Sequence, residues 1–464
     1  LFPYTTLFRS LLCMVVTASA SEVSVHTNHF SCGVVGCQNN DHGHTQVTEW
    51  QPWTGPQSAS KDNIPYDSNT KTAYIYLANN VEIEDALTIP RGHTLYLCLN
   101  GHDIIRTGNL IQIQEDASFT LCDCKGDKAE YGKLDSNKGG RVVSFESGKP
   151  GTFTMYGGII TGGNITGNSG GGVFVGDKNT FTMYGGTITG NRARYTGGGV
   201  VVYGAFNMYG GAITGNSAQE GGGGVAAHGT FTMYGGAITD NTCNGSYNGG
   251  GVYVKNGTWS TGAITLSGNV QIKDNYKGSN SNKKPSNIYL DRNKTITVAG
   301  PLTGSSIGVT TAAEPGTGSN VTFANSSTNT IATGIFTPDT AGVLVGVAAD
   351  GTSAYLYKCS HVYKWAYDEE YHWKKCTNVG CDSVEAGSKI AHTWDYPATY
   401  TAPKTCVCGA TQGEPLTRSY YYYTPSAAEN KKDSPKTADP GVLLYAGLAL
   451  ASLAGLACTA KKRH

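Results

Sequence analysis

The chain has 464 residues, with 34 acidic and 34 basic side chains, so its formal charge at pH 7 is zero. This balance gives no basic surface, and we expect neither a nucleic-acid partner nor electrostatic steering. The 63 glycines follow no Gly-X-Y period, which excludes collagen. Regularly spaced Phe, Met, Ile and Val exclude a disordered chain, and the length indicates two or three domains.

Residues 1–20 are predicted to be a leader. There is no initiator Met, and LFPYTTLFRS has the character of a foreign start, either translated adapter or a truncated gene. LLCMVVTASA then forms a short apolar run that ends in Ala18-Ser19-Ala20, which is typical of the end of a secretory signal peptide. A disordered leader is the alternative.

The N-terminal module, 21–69, contains two Cys and two His close together in sequence: His29, Cys32, Cys37 and His44. Such a set suits tetrahedral zinc in a closed structural site. The Cys-x4-Cys spacing suits a small disulfide loop equally well, and this is the usual state of Cys pairs outside the cell. Both readings stay open.

A phrase of strand and turn is repeated four times in the middle of the chain. FTMYGGTITGN occupies 181–191, and near-copies begin at Gly151, Ala205 and Thr230. The methionines of the four copies follow one another at spacings of 28, 25 and 25 residues: Met155, Met183, Met208 and Met233. A period of this length indicates a repeat architecture.

Each copy is interpreted as three short strands. Phe and the Met two positions later share one face of the first strand, and Tyr lies on the other face. Gly-Gly then makes a corner, because Gly adopts backbone angles that other residues avoid. A second strand has an inward Ile, an Asn closes the copy as a turn residue, and GGGV supplies a third strand. The phenylalanines of the first strand are Phe153, Phe181, Phe206 and Phe231, and the inward isoleucines of the second are Ile160, Ile188, Ile213 and Ile238. The closing asparagines are Asn168, Asn191, Asn216 and Asn241, and the valines of GGGV are Val173, Val200, Val225 and Val252.

Three strands and three corners in about 25 residues describe one coil of a parallel β-helix, which buries its apolar face by stacking on its neighbours. We therefore predict an all-β fold with a right-handed parallel β-helix at 70–310, of about nine or ten coils, and a β-rich end at 311–358. Cys98 and Cys122 are 24 residues apart, which is about one coil.

LCLNGHDI at 97–104, the MYGGxITGN phrases and NIYLDRNKTITVAGPL at 287–302 resemble the pectin-lyase-like β-helix surface proteins of clostridia-type Gram-positive bacteria. The resemblance covers about 25–360. It implies a right-handed parallel β-helix on a bacterial surface. Members of this family mostly lack a known activity, so the resemblance implies fold and location more than function.

Parallel β-helices include polysaccharide lyases and hydrolases, and hydrolases need clustered carboxylates. The charged residues of 151–257 are instead scattered: Asp177, Lys178, Arg192, Arg194, Glu220, Asp240 and Lys255. The sequence therefore disfavours an enzyme, and no catalytic residue is predicted.

Four tyrosines, one in each coil, are predicted to form an outward ladder that stacks sugar rings: Tyr156, Tyr184, Tyr209 and Tyr234. The alternative is that they only stabilise the outer face of the sheet.

The C-terminal module, 359–417, repeats the order His, Cys, Cys, His of the N-terminal one, with the same Cys-x4-Cys spacing. Its candidate ligands for structural zinc are His372, Cys376, Cys381 and His392. Cys406-x-Cys408 either contributes to this site or pairs with Cys359. A disulfide loop is again the alternative to zinc, and no other cofactor is required.

Residues 418–439 lack apolar periodicity and are predicted to be a flexible wall-spanning linker. Residues 440–464 are predicted to be a transmembrane segment with a basic tail. The short motif before this segment resembles a sortase cell-wall sorting signal. The resemblance implies cleavage after Thr437, between Pro435-x-Thr437 and Ala438. Ser434 and Ala438 depart from the commonest form of the signal, and a plain membrane anchor is the alternative.

Together these features predict a secreted, monomeric, cell-wall-anchored surface protein that acts as an adhesin or display stalk. Its predicted partners are sortase and peptidoglycan, together with host, plant or mucin glycans or surface proteins. The first alternative is a polysaccharide lyase or glycoside hydrolase built on the same scaffold. The second is a passive structural scaffold for protein partners.

Overall fold

The structure is a computed structural model that describes residues 50–56, 63–124, 130–245, 249–257, 260–279, 282–316, 319–328, 330–378, 381 and 383–418. These residues form an all-β structure whose largest sheet has 29 strands, and none of them lies in an α-helix. The predicted all-β class is confirmed. The chain divides into two compact units between Ile390 and Ala391, and each unit is described separately.

The largest sheet is built from three ladders of parallel strands, in which each strand pairs with its equivalent one coil later. In the first ladder Phe153 pairs in register with Phe181, and Met155 with Met183. Its strands are Gln51–Trp53, Thr72–Leu77, Thr94–Cys98, Ala117–Cys122, Gly151–Met155, Asn179–Met183, Ala205–Met208, Thr230–Thr239, Ala263–Ile272, Ile296–Val298 and Val321–Ser326.

The second ladder aligns the inward isoleucines and the third aligns the valines of GGGV, as predicted. The second ladder comprises Val81–Glu82, Ile104–Ile105, Lys133–Asp135, Ile159–Thr161, Thr187–Thr189, Ala212–Thr214, the later halves of Thr230–Thr239 and Ala263–Ile272, Ser306–Thr311 and Phe336–Pro338. The third comprises Leu87–Ile89, Ile111–Ile113, Val143–Phe145, Val173–Val175, Val200–Val202, Val225–Ala227, Val252–Val254, Ile288–Leu290 and Ser306–Thr311. Stacked coils of this kind are consistent with a parallel β-helix, and we call them the coil stack.

Shorter strands lie outside the three ladders. Asn164–Ile165, Arg192–Ala193, Ser217–Ala218, Thr242–Cys243, Tyr276–Lys277 and Lys284–Pro285 form a small second sheet. Asn256–Gly257 and Ser260–Thr261 form a hairpin. Val343–Val347 pairs antiparallel with Ser353–Lys358, which also pairs antiparallel with the last strand of the first ladder. Antiparallel strands therefore cover an edge that would otherwise present unpaired backbone groups. Parallel pairing runs from Gln51–Trp53 to Phe336–Pro338, beyond both limits of the predicted interval 70–310.

Identical side chains lie in register in the interior of the repeated coils. Phe119, Phe153, Phe181, Phe206 and Phe231 are all buried, and successive ring centroids are 5.2, 4.7, 4.6 and 5.0 Å apart with planes within 15° of parallel. Burial of each such ring stabilises the fold by about 1.5–3 kcal/mol. Each coil is therefore the template for the next, which explains why the sequence repeats.

A buried ladder of asparagines accompanies the apolar core. The amide Nδ2 of each member donates to Oδ1 of the next at 3.0 Å, along Asn191, Asn216, Asn241, Asn275 and Asn287. Asn287 Nδ2 then donates to Oδ1 of Asp339 at 2.6 Å. Burial raises the pKa of Asp339, against the lowering effect of its hydrogen bonds from Asn287 and Thr310. We call this set the asparagine ladder.

The asparagine ladder differs at two points from what the repeat predicted for the closing Asn. Asn164 pairs with Arg192, so the residue equivalent to Asn191 in the first copy is Gly163, and the assignment of Asn168 to this position is wrong. The corner itself has a positive φ at the preceding residue, Gly190 in one coil and Gly215 in the next, rather than at the Asn. The Asn side chain is needed for hydrogen bonds between coils.

Some glycines are required because neighbouring coils approach closely. A Cβ at Gly198 would lie 2.3 Å from the carbonyl oxygen of Ser217 and 2.5 Å from that of Gly223. We expect Gly198→Ala to lower the free energy of unfolding by about 1–3 kcal/mol, because backbone must move to admit the methyl group. The measurement is thermal or urea unfolding of the full-length chain. The matched control is Gly167→Ala, where a Cβ meets no atom within 4 Å; equal destabilisation of the two variants would contradict the prediction.

Beyond the coil stack, the first unit continues with Tyr363–Tyr367, Tyr371–Cys376 and Ile390–Ala391, the last of which reaches into the second unit. The second unit contains the hairpin Lys404–Thr405 and Thr411–Gln412. Within the part of the chain that the structure describes, no helix is long and apolar enough to cross a membrane. The predicted span at 440–464, the linker beyond Arg418, and Pro435, Thr437 and Ala438 lie outside the described residues, as does the leader.

Candidate functional site

A short antiparallel hairpin after the coil stack positions the first group of candidate ligands. Its strands, Tyr363–Tyr367 and Tyr371–Cys376, pair so that Tyr363 faces Cys376. The turn is fixed by Asp368, whose Oδ1 accepts the backbone N–H groups of Glu370 at 3.0 Å and Tyr371 at 2.7 Å. This register brings the residues just before the first strand next to the residues at the end of the second.

Four side chains therefore meet at the open end of this hairpin: Cys359, His361, Cys376 and Cys381, which we call the Cys359 cluster. Their ligand atoms all lie within 4.8 Å of one another. Cys359 Sγ lies 3.6 Å from Cys376 Sγ, and Cys381 Sγ lies 3.4 Å from His361 Nδ1. The three cysteines are buried and pack against Leu344. The cluster could hold a metal ion.

Hydrogen bonds in the Cys359 cluster favour thiolate on one of its sulfurs. Burial opposes ionisation of Cys376, but N–H groups of the Asn378 and Val362 backbone outweigh it and lower its pKa. Burial raises the pKa of Cys359 to about 11, although Asn378 Nδ2 donates to its Sγ at 3.0 Å. A bound cation would stabilise the thiolate form of all three sulfurs, because the thiolate is the metal-binding species.

The second unit holds a related group of ligands, His392, Cys406 and Cys408, which we call the Cys406 cluster. Cys408 Sγ lies 3.5 Å from His392 Nδ1, and the imidazole stacks on Trp394 with ring centroids 5.2 Å apart. Burial of Cys406 raises its pKa, but the Cys408 backbone N–H and the His392 side chain outweigh this effect and lower it to about 6. These three side chains could also take part in holding a metal ion.

The structure groups the predicted ligands differently from the sequence analysis, which placed His372, Cys376, Cys381 and His392 in one site. Cys376 and Cys381 belong to the Cys359 cluster, whereas His392 belongs to the Cys406 cluster. His372 lies in the hairpin with its buried ring at 4.7 Å, edge to face, from Trp365. His29, Cys32, Cys37 and His44 lie outside the described residues.

Sequence reasoning missed His361 as a ligand and left Cys359, Cys406 and Cys408 with alternative partners. The signal was present in the spacing, because Cys359-x-His361 and Cys406-x-Cys408 each place two metal-binding side chains close together in sequence. The spacing does not show which other ligands each of these pairs meets. The register of the hairpin brings Cys376 next to Cys359.

The four predicted tyrosines do form one ladder on the outer face of the coil stack. Successive ring centroids of Tyr156, Tyr184, Tyr209 and Tyr234 are 5.0, 4.9 and 4.7 Å apart, and the planes lie within 16° of parallel. Tyr209 is 43% exposed and Tyr234 40%. Neighbouring rings cover each other's faces, so the surface that the tyrosine ladder presents to solvent consists mainly of ring edges and hydroxyls.

The described residues define an all-β repeat protein of stacked parallel strands, followed by Cys/His clusters able to hold metal ions. Comparison with known proteins adds no relative: no family model matches the chain, and no curated protein or solved structure gives a match.

Proposed function

We propose that this chain is a secreted, cell-wall-anchored surface protein whose right-handed parallel β-helix serves as an adhesive stalk. The observation that carries this proposal is the parallel pairing of equivalent strands from one coil to the next, with like side chains in register across the repeated coils and one continuous apolar interior. Such a quasi-one-dimensional fold offers an extended surface rather than one deep cleft. Anchoring through Pro435, Thr437 and Ala438 by sortase to peptidoglycan rests on the sequence motif alone.

The Cys359 cluster is proposed to be a structural zinc site. A tetrahedral zinc ion with Zn–S bonds of about 2.3 Å and Zn–N bonds of about 2.0–2.1 Å separates two sulfurs by ~3.8 Å and a sulfur from a nitrogen by ~3.6 Å. The separations of 3.6 Å between Cys359 and Cys376 and of 3.4 Å between Cys381 and His361 are close to these values. Three Cys and one His form a closed donor set, which supports a structural role. The Cys406 cluster is proposed to hold zinc as well.

The adhesive surface is proposed to include the tyrosine ladder. Because the ring faces are covered by neighbouring rings, a ligand would lie along the ladder and contact ring edges and hydroxyls of several coils. A polysaccharide chain meets this requirement better than a single sugar, since it can repeat the same contact at each coil. Host, plant or mucin glycans are therefore the proposed ligands.

Loss of the tyrosine ladder tests this surface. We expect the double variant Tyr184→Ala and Tyr209→Ala to reduce retention on the bound polysaccharide by about fivefold or more, because each aromatic contact contributes about 0.5–1.5 kcal/mol. The measurement is affinity electrophoresis of the full-length chain through gels that contain plant, mucin or wall polysaccharides.

The matched control is Tyr195→Ala, which removes a tyrosine of similar exposure, 40%, outside the ladder. Equal retention of the ladder variant, the control and the wild type would show that the ladder is only structural. That outcome would favour the alternative of a passive scaffold for protein partners.

A further inference from the structure

A polar cavity of about 550 Å³ opens beside the third ladder, and its lining includes no residue of the Cys/His clusters. Its lining includes amides, serines, carboxylates and three aromatic rings, among them Asn109, Arg141, Glu146, Phe174, Asp177 and Tyr203. The side chains come from successive coils, so the repeat architecture brings together residues that are distant in sequence. None of them belongs to the tyrosine ladder.

Arg141 is held in a fixed position at this cavity. Its Nε and Nη2 donate to the carbonyl oxygen of Ser169 at 3.3 and 3.1 Å. The guanidinium carbon lies 4.5 Å from the centre of the Phe174 ring, within the range of a cation–π contact. The Phe174 ring in turn packs against Tyr203, with centroids 5.7 Å apart. Arg141 and the two rings therefore form one supported wall.

A buried polar chain stands behind this wall. The Tyr203 ring stacks on His228 at 4.7 Å, and His228 Nε2 lies 3.1 Å from Thr196 Oγ1. Thr196 Oγ1 lies 3.1 Å from Ser169 Oγ, and Ser169, Thr196 and His228 are all buried. Ser169 thus links the chain to Arg141. Binding groups held by packing and hydrogen bonds in this way lose little freedom when a ligand arrives.

We propose that this cavity binds a short neutral oligosaccharide. One cationic and two anionic side chains line it, Arg141 against Glu146 and Asp177, so its formal charge of −1 disfavours an acidic sugar. Carboxylates, amides and hydroxyls match the many donors and acceptors of a sugar, and the rings of Phe174 and Tyr203 offer apolar surface to its C–H groups. The inference rests on the proposed glycan-binding role and gives it a second site.

The test is isothermal titration of the full-length chain with the tetrasaccharides of cellulose, mannan, xylan and chitin, and with tetragalacturonate as the acidic probe. We expect saturable binding of at least one neutral tetrasaccharide and weaker or no binding of the acidic one. Arg141→Gln should reduce the affinity about tenfold, and Tyr203→Phe, which removes one hydroxyl and keeps the ring, about threefold to tenfold. Tyr195→Phe, which lies outside the cavity lining, should bind as the wild type does.

Two results would overturn the inference: no saturable binding of any neutral tetrasaccharide, or binding that Arg141→Gln and Tyr203→Phe leave unchanged. If Arg141→Gln does not fold, Tyr203→Phe alone decides the matter. The double variant Tyr184→Ala and Tyr209→Ala distinguishes the tyrosine ladder from the cavity, because neither residue lines the cavity. Polysaccharide retention by the wild type without tetrasaccharide binding overturns the cavity site and leaves the adhesin proposal intact.

Discussion

Replacing Cys376 with Ser in the full-length chain is expected to remove one zinc ion per molecule. Cys376 supplies one of four ligands that lie within 4.8 Å of one another in the Cys359 cluster. Loss of a partner that merely orients a ligand already lowers metal affinity 10–100-fold, so loss of a thiolate ligand should lower it by more than about 100-fold. Because structural zinc stabilises the fold that it joins, the hairpin Tyr363–Tyr367 and Tyr371–Cys376 should unfold at lower temperature.

The measurement is zinc content by mass spectrometry of purified protein after dialysis, with thermal unfolding in parallel. Cys243→Ser is the matched control, since Cys243 is a buried cysteine of the small second sheet and is remote in sequence from both clusters. It should keep the zinc content of the wild type. An unchanged zinc content in Cys376→Ser would contradict the proposed site. A disulfide between Cys359 and Cys376 in thiol-trapped wild type would establish the disulfide alternative instead.

Asn216→Ala is expected to lower the free energy of unfolding by about 3 kcal/mol or more. The substitution removes an amide whose Nδ2 donates to Ile188 O at 2.8 Å and to Asn241 Oδ1 at 3.0 Å. It also removes the Oδ1 that accepts the Asn191 backbone N–H at 3.0 Å. All these groups are buried, and each one left without a partner costs about 1–3 kcal/mol. Neighbouring coils depend on one another, so the loss should spread beyond a single coil.

Urea unfolding of the full-length chain measures this effect, and Asn168→Ala is the control. Asn168 belongs to the first copy of the repeat but is exposed and lies outside the asparagine ladder, where Gly163 is the residue equivalent to Asn191. Its replacement should change stability by no more than about 0.5 kcal/mol. If the two variants unfold at the same urea concentration, the asparagine ladder does not stabilise the coil stack.

The strand order of the coil stack could be predicted because its cause is local and repeated. Alternation along a strand assigns Phe181 and Met183 to one face, and stacking of like residues follows once the period is known. The second Gly of each Gly-Gly corner, such as Gly186 with φ of 84°, is likewise a local requirement. These features needed no knowledge of contacts between distant residues.

The asparagine ladder and the Cys359 cluster could not be predicted in the same way. Asn was interpreted as a turn residue because a single copy shows only its local hydrogen bonds, whereas the bond from Asn191 to Asn216 crosses between coils. The ligands of the Cys359 cluster meet through hairpin register, which the spacing of Cys and His leaves undetermined. Sequence reasoning therefore named the right residue types but placed Cys376 and His392 in one site, whereas they belong to different clusters.

The orientation of the rings in the tyrosine ladder could not be predicted from the sequence either. The repeat period predicted that the ladder exists, but it did not predict how the rings stack. Sugar stacking on ring faces was expected, and the parallel rings at 4.7–5.0 Å leave mainly edges and hydroxyls for a ligand. The geometry thus replaces stacking on ring faces with contact along ring edges and hydroxyls, and the proposed ligand remains a glycan.

The most direct test of the adhesin proposal is incubation of the purified full-length chain with plant, mucin and wall polysaccharides. Retention of the protein on each polymer and release of new reducing or unsaturated chain ends are measured in the same samples. The account predicts retention on at least one polymer with no new ends. Release of new ends would contradict it and favour the lyase or hydrolase alternative, and absence of both retention and release would contradict a glycan-binding role altogether.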